Sequence, residues 1–151
     1  MNTLKTVYNN LADYIVIPTE KMSYNKFNRA TEKDRTYKNI KFDSRAEMFR
    51  YIDLELLVRT KKISKLKRQV KFILLPSFTI NKNKKYSGIT YIADFTYFEN
   101  KIKIIEDYKG YITPLYKLKK KLLLSNLKKD KKRYIFRESK ADEIIDYIIN
   151  L

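Results

Sequence analysis

The stretch ITYIADFTYFENKIKIIEDYK, Ile89–Lys109, decides how this chain folds. Its first half, Ile89–Phe98, is rich in β-branched and aromatic residues and reads as a strand. Glu99-Asn100 reads as a tight turn, and Lys101–Lys109 returns as a second strand, so the two are expected to pair antiparallel. Side chains alternate across a strand. Ile105, Asp107 and Lys109 therefore share one face, and Ile104, Glu106 and Tyr108 the other. In the preceding strand Ile92, Asp94, Thr96 and Phe98 share a face. Asp94 and Asp107 thus stand among apolar residues in central strands, where a carboxylate is costly unless paired or bound to a cation.

On either side of this hairpin the pattern switches between helix and strand. Ser44-Arg45-Ala46-Glu47 matches a capping box and predicts a helix to about Thr60, with Phe49, Ile52, Leu56 and Leu57 among its apolar positions. Leu66–Leu75 reads as a strand stopped by Pro76. Phe78–Ile80 either continues it or starts a hairpin whose loop holds Asn81, Asn83 and Gly88. Downstream, Gly110 breaks the run, and Thr113-Pro114 supplies an N-cap followed by proline at the first helical position. That helix is expected to run to about Leu127, with Leu115, Leu118 and Leu122 as its inner stripe. Arg133–Arg137 reads as a short strand and Ala141–Ile149 as a terminal amphipathic helix. Residues 1–17 read as another amphipathic helix, and Thr19–Asn39 as a polar, basic loop or arm. The expected organisation is an N-terminal helix and basic arm over residues 1–40, then one globular unit over 41–151. Its class is α/β, of order α-β-β-β-α-β around a mixed central sheet, with N- and C-terminal helices added.

Composition narrows the chemistry. The chain has 151 residues, 44% of them hydrophobic, enough for one domain with a core. Lys and Arg number 34 against 17 Asp and Glu, a formal charge of +17 that favours a polyanionic partner. Nucleic acid is the first candidate and an anionic membrane surface the second. Codon drift in an AT-rich genome accounts for the 13 Tyr and much of the Lys, but not for acids being half as many as bases. Cys and His are absent, which excludes zinc fingers, disulfide scaffolds, thiol catalysis and histidine-based triads. Any catalysis must rest on carboxylates, lysine, hydroxyls or an oxygen-liganded metal. No apolar run approaches the roughly 20 residues of a membrane span, so a cytoplasmic protein with no membrane partner is expected.

The acids and the lysine of the hairpin carry a resemblance. Asp94, followed after the turn by Asp107-Tyr108-Lys109, is similar to the signature of the PD-(D/E)XK nuclease superfamily. FDSRAE (Phe42–Glu47), YIADF (Tyr91–Phe95), EDYKG (Glu106–Gly110) and TPLYKLKKKL (Thr113–Leu122) further resemble a phage-encoded, uncharacterised endonuclease-like family assigned to that superfamily. The likeness covers a little over half the chain, from Lys41 to Leu127, and the expected element order is also that superfamily's restriction-endonuclease-like core. One position departs: Ala93 precedes Asp94 where the pattern has proline.

The resemblance implies a Mg²⁺ (or Mn²⁺) site built from Asp94, Asp107 and the main-chain carbonyl of Tyr108, with Glu47 as an additional acid. Lys109 would position or help deprotonate the attacking water and stabilise the transition state. Each residue also has a structural reading. Asp107 and Lys109 could be a same-face ion pair, and a capping box accounts for Glu47, which also lies on a stripe with Tyr51, Leu54 and Val58. Gln69, at the start of a flanking strand, is a weak addition. Glu106 is assigned by alternation to the opposite face, in a salt bridge.

Between Thr113 and Lys140 eleven Lys or Arg face only two acids. Lys117, Lys120, Lys121 and Lys128 fall on one helical face, and with Thr113 at the helix start they form an expected DNA-backbone surface. The functional expectation is a metal-dependent DNA endonuclease, acting on branched or structured DNA in the manner of Holliday-junction resolvases in phage DNA metabolism, with a homodimer possible by the same analogy. The alternative is a non-catalytic basic DNA-binding protein that keeps the nuclease fold.

Overall fold

The turn at the centre of that stretch falls one residue later than expected, at Asn100-Lys101, with Glu99 still paired to Ile102. Both turn residues are left-handed, φ 49° and 66°, the geometry that matches the twist of a two-residue hairpin. The computed structural model describes residues 31–81, 83–109, 111–139 and 143–150. The helix expected over residues 1–17 lies outside them, as does most of the N-terminal arm.

A 3₁₀ turn, Lys33–Arg35, leads into a small hairpin of β1 (Thr36–Tyr37) and β2 (Ile40–Lys41). There follow α1 (Arg45–Arg59), β3 (Ile63–Leu75), a second hairpin of β4 (Phe78–Ile80) and β5 (Lys84–Tyr86), and the central strands β6 (Ile89–Glu99) and β7 (Ile102–Tyr108). Then come α2 (Pro114–Lys129), β8 (Tyr134–Ser139) and β9 (Ile144–Ile149). One mixed five-stranded sheet has the order β3-β6-β7-β8-β9. All neighbours are antiparallel except β7 and β8, which run parallel because α2 carries the chain between them.

Local chemistry sets the helix starts. The Ser44 hydroxyl accepts the Glu47 N–H at 3.1 Å and the Thr113 hydroxyl accepts the Tyr116 N–H at 3.1 Å, with Pro114 opening α2 as expected. At the neck of the β4–β5 hairpin Gly88 is sterically required. A Cβ there would lie 2.8 Å from the Leu75 carbonyl oxygen and 3.0 Å from the Ser77 nitrogen.

Three expectations fail. Ala141–Ile149 is not a terminal helix: Ile144–Ile149 forms β9, paired with β8 from Tyr134↔Ile149 to Ser139↔Ile144. A short apolar run rich in isoleucine satisfies both periods, and here the open edge of β8 supplies the partner. Of the expected inner stripe of α2, Leu122 packs partly buried against the core, but Leu115 and Leu118 do not. Leu115 and Leu118 are 62% and 54% exposed, while Leu123 and Leu127 are buried with Tyr116 packed beside them. Residues 31–40 are not a loose arm: Arg35 donates to the Phe42 carbonyl at 2.5 Å, and the Tyr37 ring meets the Tyr51 ring edge-on.

The sheet has a hydrophobic cluster on each side. Phe95, Tyr97, Ile104 and Ile63 pack with Leu54 of α1. Leu74, Tyr91, Ala93, Ile105 and Phe136 pack with Leu123 and Leu127 of α2. Residues two apart on one strand normally face the same way, yet Ala93 belongs to one cluster and Phe95 to the other. The alternation therefore changes phase at Asp94. The opposite residue, Gln69, takes a left-handed φ of 49° between Arg68↔Phe95 and Val70↔Ala93. The β3–β6 ribbon bends here, so its far half serves α2 and its near half α1. The Asn126 amide of α2 donates to the Leu74 carbonyl at 3.2 Å, fastening the far half.

Candidate functional site

β7 is the middle strand of the sheet, and its residues from Ile104 to Asp107 are all buried because both faces are covered. Alternation sends Glu106 and Asp107 to opposite sides. Glu106 turns toward α1, where Arg50 donates to both its oxygens, Nε at 2.5 Å and Nη2 at 3.0 Å. The Tyr97 hydroxyl at 2.6 Å and the Ser139 hydroxyl at 2.8 Å complete its shell. Burial opposes ionisation of Glu106, but these donors outweigh it and hold its pKa below the usual carboxylate value. The opposite face, with Asp107, carries a different kind of group.

Asp107 is fully buried, its Oδ2 lies 3.0 Å from the Lys109 ammonium, and neither carboxylate oxygen receives a well-directed hydrogen bond. The bend at Gln69 and Asp94 brings the second acid to the same place. The Tyr108 N–H donates to Asp94 Oδ2 at 2.8 Å. The Gln69 amide reaches Asp94 Oδ1 at 3.3 Å and Glu47 Oε1 at 3.2 Å. Glu47 Oε2 accepts the Asp43 N–H at 3.1 Å, so Glu47 both caps the start of α1 and faces the site. Asp94, Asp107, Lys109, Glu47 and Gln69 are therefore brought together. Burial and the adjacent Asp107 charge push the Asp94 carboxyl up to about 7, with Lys109 acting in the opposite direction. Burial likewise raises Glu47.

Several contributors carry no signature in the sequence. The Lys109 ammonium lies 5.1 Å from the centre of the Tyr116 ring. The Tyr116 hydroxyl donates to Glu138 Oε1 at 2.5 Å, and Glu138 Oε2 meets the Lys120 ammonium at 2.5 Å and the Tyr147 hydroxyl at 2.9 Å. Glu138 stands directly beside Asp107 in the parallel β7–β8 register. Lys120 thus neutralises an acid next to the site. Tyr91 places a buried hydroxyl near Asp107, and burial with that charge raises its pKa well above the ordinary phenol value.

The expected DNA surface divides. Lys117, Lys121 and Lys128 are exposed on α2, and the first two line a groove of about 350 Å³ with Ile112 and Leu124. Lys120 is a correction. Its ammonium is held by Glu138 and lies 3.9 Å from the centre of the Tyr147 ring, so it is part of the packing rather than a free cation. Thr113 is exposed but its hydroxyl is committed to the helix cap.

Asp94 and Asp107 are the side chains able to hold a divalent cation, with Glu47 behind Gln69. Among the described residues no group of three or more Asp and Glu side chains is drawn tightly enough to enclose a metal. Magnesium is commonly bound by one or two carboxylates, with water and substrate phosphate completing its shell. A buried carboxylate short of hydrogen bonds beside a second one made hard to ionise is a donor set that fits such a cation.

Residues 26–143 match the model of a family described as "Protein of unknown function (DUF1064)". The segment includes every candidate site residue. No curated protein matches significantly. Among solved structures, the chain is similar to the crystal structure of SSO0001, with 18% identity and a TM-score of 0.36. The match covers 68% of this chain and 48% of that one, so the chain spans about half the length of that neighbour. Among the described residues no helix is long and apolar enough to cross a membrane.

Proposed function

The chain belongs to the DUF1064 family, and we propose that it is a metal-dependent DNA endonuclease with a restriction-endonuclease-like core of the PD-(D/E)XK kind. The observation that carries this reading is the meeting of Asp94 and Asp107 from two adjacent strands beside the Lys109 ammonium. When bound, Mg²⁺ or Mn²⁺ supplies Lewis acidity toward a phosphodiester and lowers the pKa of a coordinated water.

The remaining work falls to the chain's own groups. Asp94 is held in orientation by the Tyr108 N–H at one oxygen and the Gln69 amide at the other. Lys109, steadied between Asp107 Oδ2 and the Tyr116 ring, presents its ammonium where negative charge develops on a phosphoryl group. Glu47 and Gln69 close the side nearest α1. The exposed Lys117, Lys121 and Lys128 of α2 would track the substrate backbone. The basic excess supports a DNA partner. Branched substrates, a resolvase-like homodimer, phage DNA metabolism and a cytoplasmic setting complete the reading by analogy with small basic nucleases.

The test uses the full-length protein with labelled four-way junction, flap, duplex and single-stranded DNA, with and without Mg²⁺. Wild type should nick at least one substrate only when the metal is present. Asp107→Ala should lose nicking while still retarding DNA. Equal cleavage by both proteins refutes the assignment. Retardation without hydrolysis in either metal favours the non-catalytic DNA-binding protein.

A further inference from the structure

Five cations surround one cleft at the end of β7 remote from Asp107. Lys101 and Lys103 come from the β6–β7 turn and the start of β7. Lys131, Lys132 and Arg133 come from the segment joining α2 to β8. The cleft has a volume of about 500 Å³. Its walls are aromatic: Phe98 and Tyr134 flank Lys103 in the sheet register, and the Lys65 ammonium lies 5.3 Å from the centre of the Phe98 ring. The nearby acid is Asp130, whose carboxylate lies 3.4 Å from Lys132 and accepts the Tyr134 hydroxyl. Lys101, Lys131 and Arg133 are exposed, and the ion pairs found among the described residues include none of them.

Cations drawn into one concavity with apolar walls repel each other more strongly than the same charges spread over an open surface. An anion relieves that repulsion. Five cations exceed what one phosphate group needs but suit a run of phosphates along a nucleic-acid strand. Lys103 and Asp107 are four residues apart on the same face of β7, about 13 Å at the usual rise of a strand. That separation corresponds to roughly four nucleotide rises of a B-form strand.

We infer that this cleft binds a second stretch of the substrate's phosphodiester backbone, apart from the bond held at the carboxylates; the inference rests on the reading of DNA as the substrate. The cleft holds an arm of the DNA and the carboxylates act on another part of it, so binding and cleavage are separable by mutation.

The experiment measures fluorescence anisotropy of labelled four-way junction and duplex DNA with the full-length protein in EDTA, over about 50 to 200 mM salt. The triple variant Lys101→Ser/Lys131→Ser/Arg133→Ser should flatten the slope of log affinity against log salt by about 2 to 3, since each lost phosphate contact is worth about 0.9. Arg133→Gln alone should flatten it by about 1, and both variants should keep the wild-type melting temperature. A triple variant that binds DNA with the wild-type slope overturns the inference. So does one that loses flotation on phosphatidylserine vesicles while its DNA binding is unchanged. A flattened slope in a protein that never nicks DNA supports the cleft and refutes the nuclease reading; nicking with an unflattened slope does the reverse.

Discussion

Replacing Asp94 by asparagine removes the half-buried charge beside the fully buried Asp107 and leaves an acceptor for the Tyr108 N–H. In the wild-type protein, burial and the Asp107 charge raise the Asp94 carboxyl from its ordinary value of 3.8 to about 7. The folded state therefore binds this proton more tightly than the unfolded chain. That contribution is fully present below pH 3.8 and is lost as pH rises through about 7. Three pH units at 1.36 kcal/mol each set a ceiling of about 4 kcal/mol, and solvent screening of the half-buried Asp94 brings the expected value to about 2–4 kcal/mol. Urea denaturation in EDTA across the range should show the two proteins nearly equal near pH 4 and Asp94→Asn more stable at pH 8. Restoring Mg²⁺ at pH 8 should stabilise wild type, by about 1.4 kcal/mol at tenfold excess over its dissociation constant, and stabilise the variant less. A stability difference that is the same at pH 4 and pH 8 would refute the picture of two carboxylates crowded at one place.

Glu106→Ala should cost about 3–5 kcal/mol in urea denaturation, because it leaves the Arg50 guanidinium buried without its partner. Since the Glu106 pKa is lowered in the folded state, its contribution is present above the unfolded value of 4.5 and lost as pH falls through the folded one, so wild type should lose stability in acid faster than Glu106→Ala. Tyr116→Leu removes the ring beneath Lys109 and should slow nicking about tenfold, the equivalent of about 1.4 kcal/mol. Tyr116→Phe keeps the ring and should retain most of the activity, and equal losses in the two variants would show that the Glu138 hydrogen bond, not the ring, positions Lys109. Ile149→Ala should destabilise by about 2–4 kcal/mol and Ile148→Ala by less than about 0.5, as the burial of β9 requires. Comparable costs at the two positions would contradict the strand.

The parts of the fold legible in the sequence are those fixed by neighbours in the chain. Ser44 and Thr113 begin helices through their own hydroxyls, and the β6–β7 hairpin follows from its turn and its alternation. Alternation also separated Glu106 from Asp107 and put Lys109 beside the latter. What was missed depends on distant partners. Ile144–Ile149 becomes a strand because β8 offers an edge, and that edge arrives only through the crossover of α2. Lys120 hides the inner stripe of α2: it occupies the position between Tyr116 and Leu123, its stem buried and its ammonium led out to Glu138. The bend at Asp94 is made by a glutamine in a left-handed conformation, for which the sequence has no mark such as glycine. Tyr116 and Tyr91 enter the site from a helix and from the far half of a bent strand, so no local spacing reveals them.

A molecule with two separate oily compartments invites melting in two stages, one compartment loosening before the other. Here the same pair of strands is threaded through both, crossing from one to the other at Gln69 and Asp94. Neither compartment can open without pulling on the stitch between them, so heat should undo the two as a single cooperative event. Asp94 sits on the stitch itself, so its meeting with Asp107 should last as long as both compartments do and be lost with them in the same event.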